Sequence, residues 1–186
     1  MSQPAGAAAP LPFEVVQAGP LTLRPWRADD VAWVFDACQD AEIQRWTRVP
    51  SPYTARDAVA FVEGSISERE AGREARFAIE LTESGELLGS ISLRPNLAEA
   101  TAEIGYWVAR DARGSGVASL ALAGMAGWAA GRFGLGSLTV IVARGNAAST
   151  AVARRAGFVP AAVVAGGCKD GSEPDDGIVH VLAVPG

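Results

Sequence analysis

Residues 113–118 read RGSGVA and lie between a strand-like run and a helix-like run. The segment before them, AEIGYWVA at 102–109, is predicted to be a strand, and apolar residues at helical spacing predict a helix over about 115–132. The first amides of a helix have no intrahelical partner and carry partial positive charge, and glycine lets an anion approach the backbone. These residues alone leave two interpretations open, a phosphate-binding site and a structural turn.

Two common nucleotide-binding fingerprints do not fit this segment. A dinucleotide-binding GxGxxG needs glycine where this chain has Ser119, and an acid about 20 residues later, whereas residues 112–169 contain no Asp or Glu. A P-loop needs lysine beside the glycines, and the single lysine of the chain is Lys169.

Composition and charge bound the function further. The net charge of −5 disfavours non-specific nucleic-acid binding. Residues 110–160 nevertheless hold six arginines and one acid, and these arginines either bind a polyanionic ligand or only keep the surface soluble. The two cysteines, Cys38 and Cys168, have neither disulfide-framework nor metal-ligand spacing, so we expect no metal. The uncharged run 114–131 is too rich in glycine and alanine for a membrane span.

The N-terminus is Ala- and Pro-rich and has no charge pattern of a signal peptide, so we expect a cytoplasmic protein. Residues 1–18 are predicted to be a disordered tail and residues 19–186 one domain. Within that domain the patterns predict the order β-α-α-β-β-β-α-β-α-β-β and therefore a mixed sheet flanked by helices.

A family resemblance chooses between the two interpretations of the glycines. RGSGVA resembles the coenzyme A motif R/Q-x-x-G-x-G/A of the GNAT N-acetyltransferases through Arg113, Gly116 and Ala118. Further segments over residues 21–160 resemble the RimJ/RimL branch in order and spacing: LTLRPWRADD, DAEIQRWT, PYTARDAVAFV, FAIE with GELLGSISL, AEIGYWVA and NAASTAVARRAGF. The implied fold is α+β, with a mixed sheet of about seven strands, four flanking helices and a V-shaped splay between strands 4 and 5.

The resemblance also implies a cofactor site. Acetyl-CoA would lie between the strand at 103–108 and the parallel strand at 137–143, with its pantetheine on the strand edge and its pyrophosphate on the loop amides. The Val108 amide would polarise the thioester carbonyl, Asn146 would hold the pantetheine, and Ser149 would face the sulfur. The implied cofactor-binding residues are Tyr106, Trp107, Val108, Arg113, Gly114, Ser115, Gly116, Val117, Ala118, Ser119, Asn146 and Ser149.

Each residue proposed for catalysis or for binding the acceptor also has an alternative role. Glu103 is the candidate general base, against a surface carboxylate or a water relay. Ser149 is the candidate proton donor, against a solvent-facing serine, since the tyrosine that related enzymes place deeper in this helix is missing. Asn146 suits an N-cap as well as a cofactor contact. Trp46 and Tyr53, with Trp33, are candidates for the acceptor wall, and ordinary core packing is the alternative for Trp33.

The implied activity is acetyl-CoA-dependent N-acetyl transfer to a primary amine by direct attack in a ternary complex. The expected acceptor is a protein N-terminal α-amine or a small amine. We expect no nucleic-acid or membrane partner, and the protein is a candidate homodimer. The alternative is a non-catalytic acyl-CoA sensor or scaffold with the same fold. Residues 160–178, small and apolar and then acidic, depart from the basic, aromatic segment typical of the branch, and they leave the acceptor open.

Overall fold

The computed structural model describes residues 9–184. Its strands form one mixed sheet in the order β1-β2-β3-β4-β5-β6-β8-β7. The strands are β1 Val16–Ala18, β2 Leu21–Pro25, β3 Ala75–Leu81, β4 Leu87–Asn96, β5 Thr101–Val108, β6 Ser137–Ala143, β7 Val159–Asp170 and β8 Glu173–Ala183. The α-helices are α1 Val31–Ala37, α2 Ala41–Trp46, α3 Ala55–Glu70, α4 Val117–Phe133 and α5 Ala147–Arg155.

Helices cover both faces of the sheet. One face carries α4 and α5 over a core that includes Phe77, Ile104 and Leu122, and the other carries α1–α3 over a smaller core that includes Trp26 and Val34. The period-2 alternation of β5 explains this division, because Ala102 and Ile104 are buried under α4 while Trp107 packs toward α1. The mixed α+β fold predicted from the sequence is confirmed.

The helix α4 approaches the first strand closely. A Cβ atom placed on Gly124 would lie 2.3 Å from the Cβ of Ala18, so only glycine allows this spacing between α4 and β1. One glycine of the uncharged helical run is therefore a packing requirement of the core.

The sheet divides between β5 and β6. These strands are parallel neighbours, but they pair only over Thr101, Ala102 and Glu103 of β5, opposite Ser137 to Thr139 of β6. The rest of β5 remains paired with β4, and β6 remains paired with β8. The predicted V-shaped splay is thus confirmed, and it opens a cleft beyond Glu103.

Three details differ from the sequence prediction. Residues 1–8 of the predicted tail lie outside the described residues, but Leu11 is buried in the core and residues 16–18 form β1, so the tail prediction is wrong there. The short strand β1 raises the described strands to eight. The segment around Trp46 forms α2, a helix that the predicted order does not contain, and it brings the described α-helices to five. The single domain over 19–186 stays a prediction.

No helix in residues 9–184 is long and apolar enough to cross a membrane.

Candidate active site

A cleft of about 900 Å³ lies in the splay between β5 and β6. At one end it is lined by the glycine-rich loop and the first turn of α4, and at the other by α2, the start of α3 and the tip of the β7–β8 hairpin. Among the site residues predicted from the sequence, the cleft is lined by Trp46, Tyr53, Glu103, Tyr106, Trp107, Val108, Arg113, Gly114, Gly116, Val117, Ala118, Ser119, Asn146 and Ser149.

The β5 edge in this cleft has free backbone groups. The Ala109 amide donates to the Leu88 carbonyl at 2.8 Å, so residue 109 forms a hydrogen-bonded pair with β4. Because antiparallel bonding alternates, the amides of Val108 and Tyr106 point to the opposite side, where β6 has diverged. An extended ligand can pair with this edge as an added strand would.

The loop before α4 is shaped for an anion. Gly114 and Gly116 have φ values of 77° and 88°, which favour glycine, and a Cβ on either would meet nothing within 4 Å. Gly116 is the N-cap of α4 and offers no side chain to the first amides of the helix. The glycines therefore serve the left-handed conformation, and the open space beside them fits a phosphate.

Arg113 and Ser115 use their side chains within the protein. Arg113 Nη2 lies 2.5 Å from Asp40 Oδ1, and its Nε donates to the Val108 carbonyl at 3.2 Å. Ser115 Oγ donates to the Ala112 carbonyl at 2.7 Å and is not among the residues lining the cleft. The Arg113 amide is also engaged, because it donates to the Arg110 carbonyl at 3.3 Å. In this conformation Ser115 could contact a phosphate only through its amide, and Arg113 offers neither its amide nor a free side chain.

The start of α5 brings Asn146 and Ser149 into the cleft. Asn146 Oδ1 accepts a hydrogen bond from the Ser149 amide at 2.9 Å, so Asn146 is the helix N-cap. Ser149 Oγ lies 2.8 Å from the phenol oxygen of Tyr106, which reaches across the splay from β5. The sequence prediction placed Tyr106 here only through its backbone and did not anticipate this contact.

Glu103 lies on β5 just where the two strands separate, and it is half-exposed. Its Oε1 accepts a hydrogen bond from Arg94 Nη1 at 2.9 Å, and Arg94 also pairs with the buried Glu74 at 3.0 Å. Arg76 donates to the other oxygen of Glu74 at 2.8 Å. A chain of alternating charges therefore fixes the position of the Glu103 carboxylate in the cleft, and no pattern in the sequence predicts these contacts.

The end of the cleft away from the glycine-rich loop is enclosed by contacts between α2 and the β7–β8 hairpin. Arg45 forms two hydrogen bonds with Asp170, at 2.5 and 3.1 Å, and its guanidinium lies 4.3 Å from the Trp46 ring centroid. Tyr53 is buried in the same wall. The hairpin places Cys168 in the cleft, where burial raises the pKa of its thiol.

Trp33, by contrast, is a core residue. Its ring lies 5.9 Å from that of Trp107 and 6.2 Å from that of Trp26, in a stacked arrangement. It does not line the cleft.

The family model for the acetyltransferase (GNAT) domain matches residues 20–159. The chain belongs to the GNAT acetyltransferases. It is thus an acetyl-CoA-dependent N-acetyltransferase by family, as predicted, and acetyl-CoA is the co-substrate that the cleft has to hold. A comparison with curated proteins finds no match.

Solved structures have the same fold as this GNAT domain. Mycobacterium smegmatis RimJ in complex with CoA-disulfide is 24% identical, with a TM-score of 0.83 over 94% of this chain and 90% of that one. A RimL ribosomal L7/L12 alpha-N-protein acetyltransferase in complex with coenzyme A is 22% identical, with a TM-score of 0.83 over 92% and 98%. The Vibrio fischeri ribosomal-protein-S5-alanine acetyltransferase is 13% identical, with a TM-score of 0.77 over 92% and 97%. The resemblance to the RimJ/RimL branch is confirmed at the level of the fold.

Proposed function

We propose that this GNAT domain transfers the acetyl group of acetyl-CoA to the α-amino group of a protein N-terminus, by direct attack within a ternary complex. The observation that carries the proposal is the shared cleft. The unpaired β5 edge, the uncapped start of α4, the Ser149 hydroxyl and the Glu103 carboxylate all face one continuous space.

The proposed binding mode assigns each end of the cleft to one substrate. Of the predicted loop residues 113–119, those at 114–119 would hold the pyrophosphate through their amides, because the Arg113 amide donates to the Arg110 carbonyl. The β5 edge would pair with the pantetheine through Tyr106 and Val108, and the backbone of Trp107 between them faces β4. Asn146 would contact the pantetheine through its amide group, because its side-chain oxygen caps α5. Trp46, Tyr53 and Glu103 would then form the acceptor side.

The chemistry follows from the groups present. The Val108 amide points into the splay and would donate to the oxyanion that develops on the thioester carbonyl. Ser149 would protonate the departing thiolate, and the free oxygen of Glu103 would take a proton from the amine, directly or through water.

Two residues argue against a covalent acyl-enzyme. His180, the single histidine of the chain, is buried in β8, and its Nδ1 lies 3.1 Å from the Ile178 carbonyl oxygen. It is therefore not a base for a nucleophile in the cleft. Cys168 does line the cleft, but the raised pKa keeps its thiol protonated and weakly nucleophilic. Direct attack by the amine needs neither residue.

The acceptor class rests on two supports. The printed names of the RimL and Vibrio fischeri structures describe acetyltransferases of ribosomal proteins, one of them acting on an α-amine. The cleft of about 900 Å³ also extends past Glu103 to Trp46 and Tyr53, which leaves room beside the cofactor for the end of a peptide chain. A small amine is the alternative acceptor, and the cytoplasm stays the predicted location.

We also propose a homodimer formed through β7. This strand is the free edge of the sheet, and Val159, Val163 and Val164 on it are 62%, 56% and 42% exposed. A long apolar edge with unpaired backbone groups favours pairing with another strand, and antiparallel pairing of β7 with itself about a two-fold axis is self-complementary.

A thiol-release assay tests the activity. Acetyl-CoA is offered with a panel of peptides with free N-termini, the same peptides blocked at the N-terminus, and small amines such as amino sugars and polyamines. We expect CoA release with free N-termini and none with blocked ones. Turnover only with small amines would contradict the acceptor class. Tight acetyl-CoA binding without release for any amine would favour the non-catalytic sensor.

A further inference from the structure

Tyr106 and Ser149 face each other across the opening of the sheet. Tyr106 lies three residues beyond the last pair between β5 and β6, and Ser149 lies on α5, which follows β6. The phenol oxygen of Tyr106 is 2.8 Å from Ser149 Oγ and 3.3 Å from the Ser149 carbonyl oxygen. The two hydroxyls are therefore held together inside the cleft, beside the β5 edge on which the pantetheine would lie.

The direction of this hydrogen bond follows from the two acidities. A phenol is a better proton donor than an aliphatic alcohol, so we infer that the Tyr106 hydroxyl donates to Ser149 Oγ at 2.8 Å rather than to the more distant Ser149 carbonyl oxygen at 3.3 Å. The Ser149 hydroxyl hydrogen then cannot point at Tyr106 and is free to point into the cleft. Without the phenol, the same hydrogen could turn to other acceptors.

The backbone of α5 fixes the serine from the other side. The Ser149 amide is bound by Asn146 Oδ1 at 2.9 Å, which sets the first turn of the helix. Tyr106 itself packs against the core beneath α4 and α5, and burial raises the pKa of its phenol to about 12. The phenol is thus protonated at every pH at which the protein would work.

We propose that Tyr106 is the positioning residue of the leaving-group acid: its phenol orients the Ser149 hydroxyl toward the CoA sulfur and replaces the proton that the serine gives up. This inference rests on the proposed function. As the C–S bond breaks, its electron pair goes to sulfur, the Ser149 proton goes to sulfur, and the Tyr106 proton goes to Ser149 Oγ. The phenolate regains a proton from water after CoA leaves. The tyrosine that the helix lacks is thereby supplied by β5.

The experiment compares Tyr106→Phe, Ser149→Ala and the double variant in single-turnover acetyl transfer. Phenylalanine keeps the packing, so we expect acetyl-CoA Kd within about twofold of wild type and a single-turnover rate about tenfold lower. Because Tyr106 acts through Ser149, the double variant is expected to be no slower than Ser149→Ala alone. Thr150→Ala, which removes the neighbouring α5 hydroxyl that bonds Asn146 O at 3.2 Å, is the matched control and keeps the wild-type rate.

A second measurement needs no acceptor. The thiolate absorbance of bound CoA is titrated with pH in the wild type and in Tyr106→Phe. A hydroxyl aimed at sulfur stabilises the thiolate, so the pKa of the bound thiol is expected to be lower in the wild type than in Tyr106→Phe.

The outcomes separate this inference from the proposed function. Equal thiol pKa values in both proteins, or effects of the two substitutions that multiply in the double variant, would overturn the role of Tyr106 even if the wild type acetylates peptides. A lower wild-type thiol pKa supports the pair even if no tested amine is acetylated, in which case only the proposed function fails.

Discussion

Arg113 Nη2 lies 2.5 Å from Asp40 Oδ1, so the loop before α4 is joined to the residue that precedes α2. Asp40 is the N-cap of α2, and the same oxygen accepts the Ile43 amide at 3.0 Å. Burial acts against ionisation of Asp40, but the bond from Arg113 lowers its pKa below the ordinary value. A full negative charge therefore lies beside the proposed phosphate site.

Removing that charge is expected to tighten CoA binding. Asparagine also caps helices well, so Asp40→Asn keeps α2 while freeing the Arg113 charge for the pyrophosphate. The expected change is a Kd for CoA about fivefold lower at low salt, shrinking as salt is added. Titration calorimetry measures it, with Asp36→Asn on the exposed side of α1 as the control of equal charge change. A higher Kd would mean that the ion pair pre-shapes the loop.

Gly116 allows charge and strain to be tested separately. Gly116→Glu puts a carboxylate at the proposed phosphate site, and we expect no measurable acetyl-CoA binding. Gly116→Ala adds only the cost of an L-residue at φ 88°, about 1 kcal/mol, because its Cβ would meet nothing within 4 Å. Alanine should therefore weaken binding modestly. Wild-type affinity in Gly116→Glu, with an unchanged melting temperature, would rule out this phosphate site.

The proposed base predicts a pH-dependent defect. Glu103→Gln keeps an acceptor for Arg94 but cannot take a proton, so kcat/KM should fall about 10- to 100-fold near pH 7. The deficit should shrink above pH 8, where an α-amine is already neutral. A pH series from 6 to 9.5 checks this, with the exposed Glu99→Gln as control. A loss that is the same at every pH would show that Glu103 only shapes the cleft.

A buried ion pair predicts a stability effect outside the site. Arg24 binds Asp30 through two hydrogen bonds of 2.8 and 2.9 Å, and both residues are buried. Arg24→Ala leaves this carboxylate unpaired and should lower the free energy of unfolding by about 3–5 kcal/mol in urea denaturation. The control is Arg73→Ala, which removes the exposed pair with Glu68 and should leave stability unchanged.

The same ion pair predicts how the stability of the fold changes with pH. Burial alone would raise the pKa of Asp30, but its bonds with Arg24 lower it below the ordinary value. Because the folded pKa lies below the unfolded one, this stabilisation is complete above about pH 4 and is lost as the pH falls through the folded pKa. Acid unfolding that begins at the same pH in Arg24→Ala and wild type would contradict this assignment.

The proposed dimer predicts a change of mass. Val163→Lys places a charge on the exposed β7 edge, where lysine opposes strand pairing, so it should convert a dimer to a monomer. Light scattering after size-exclusion chromatography measures this. Val15→Lys alters an equally exposed valine outside β7 and is expected to leave the mass unchanged. A wild-type monomer at micromolar concentration would refute the dimer.

Local signals in the sequence were the reliable ones. The start of α3 shows such a signal, because Thr54 and Asp57 form a capping box with both side-chain bonds, a pattern that can be read from residues three apart. The strand, the glycine-rich loop and the helix that follow each other over residues 102–132 were also predicted from local patterns, whereas the splay was implied by the family resemblance. Strand β1 was missed because its three residues follow an Ala- and Pro-rich segment and are stabilised by pairing with β2.

Contacts between distant residues could not be predicted. Tyr106 and Ser149 are 43 residues apart, and Asp40 and Arg113 are 73 apart. Each pair depends on how two distant segments come together in the folded protein, and neither periodicity nor sequence spacing encodes that arrangement. Trp33 shows the same limit, since only the packing of α1 on β5 makes it a core ring.

The tight packing of Ala18 against Gly124 has a practical consequence for shortening this protein. The helix that begins at the glycine-rich loop packs near its middle, at Gly124, against Ala18 of the three-residue strand β1. A version shortened to begin at Leu21 would remove the residue that packs against Gly124 and would destabilise α4 and the loop that precedes it. Trimming or fusion at this terminus is therefore best kept ahead of Leu11.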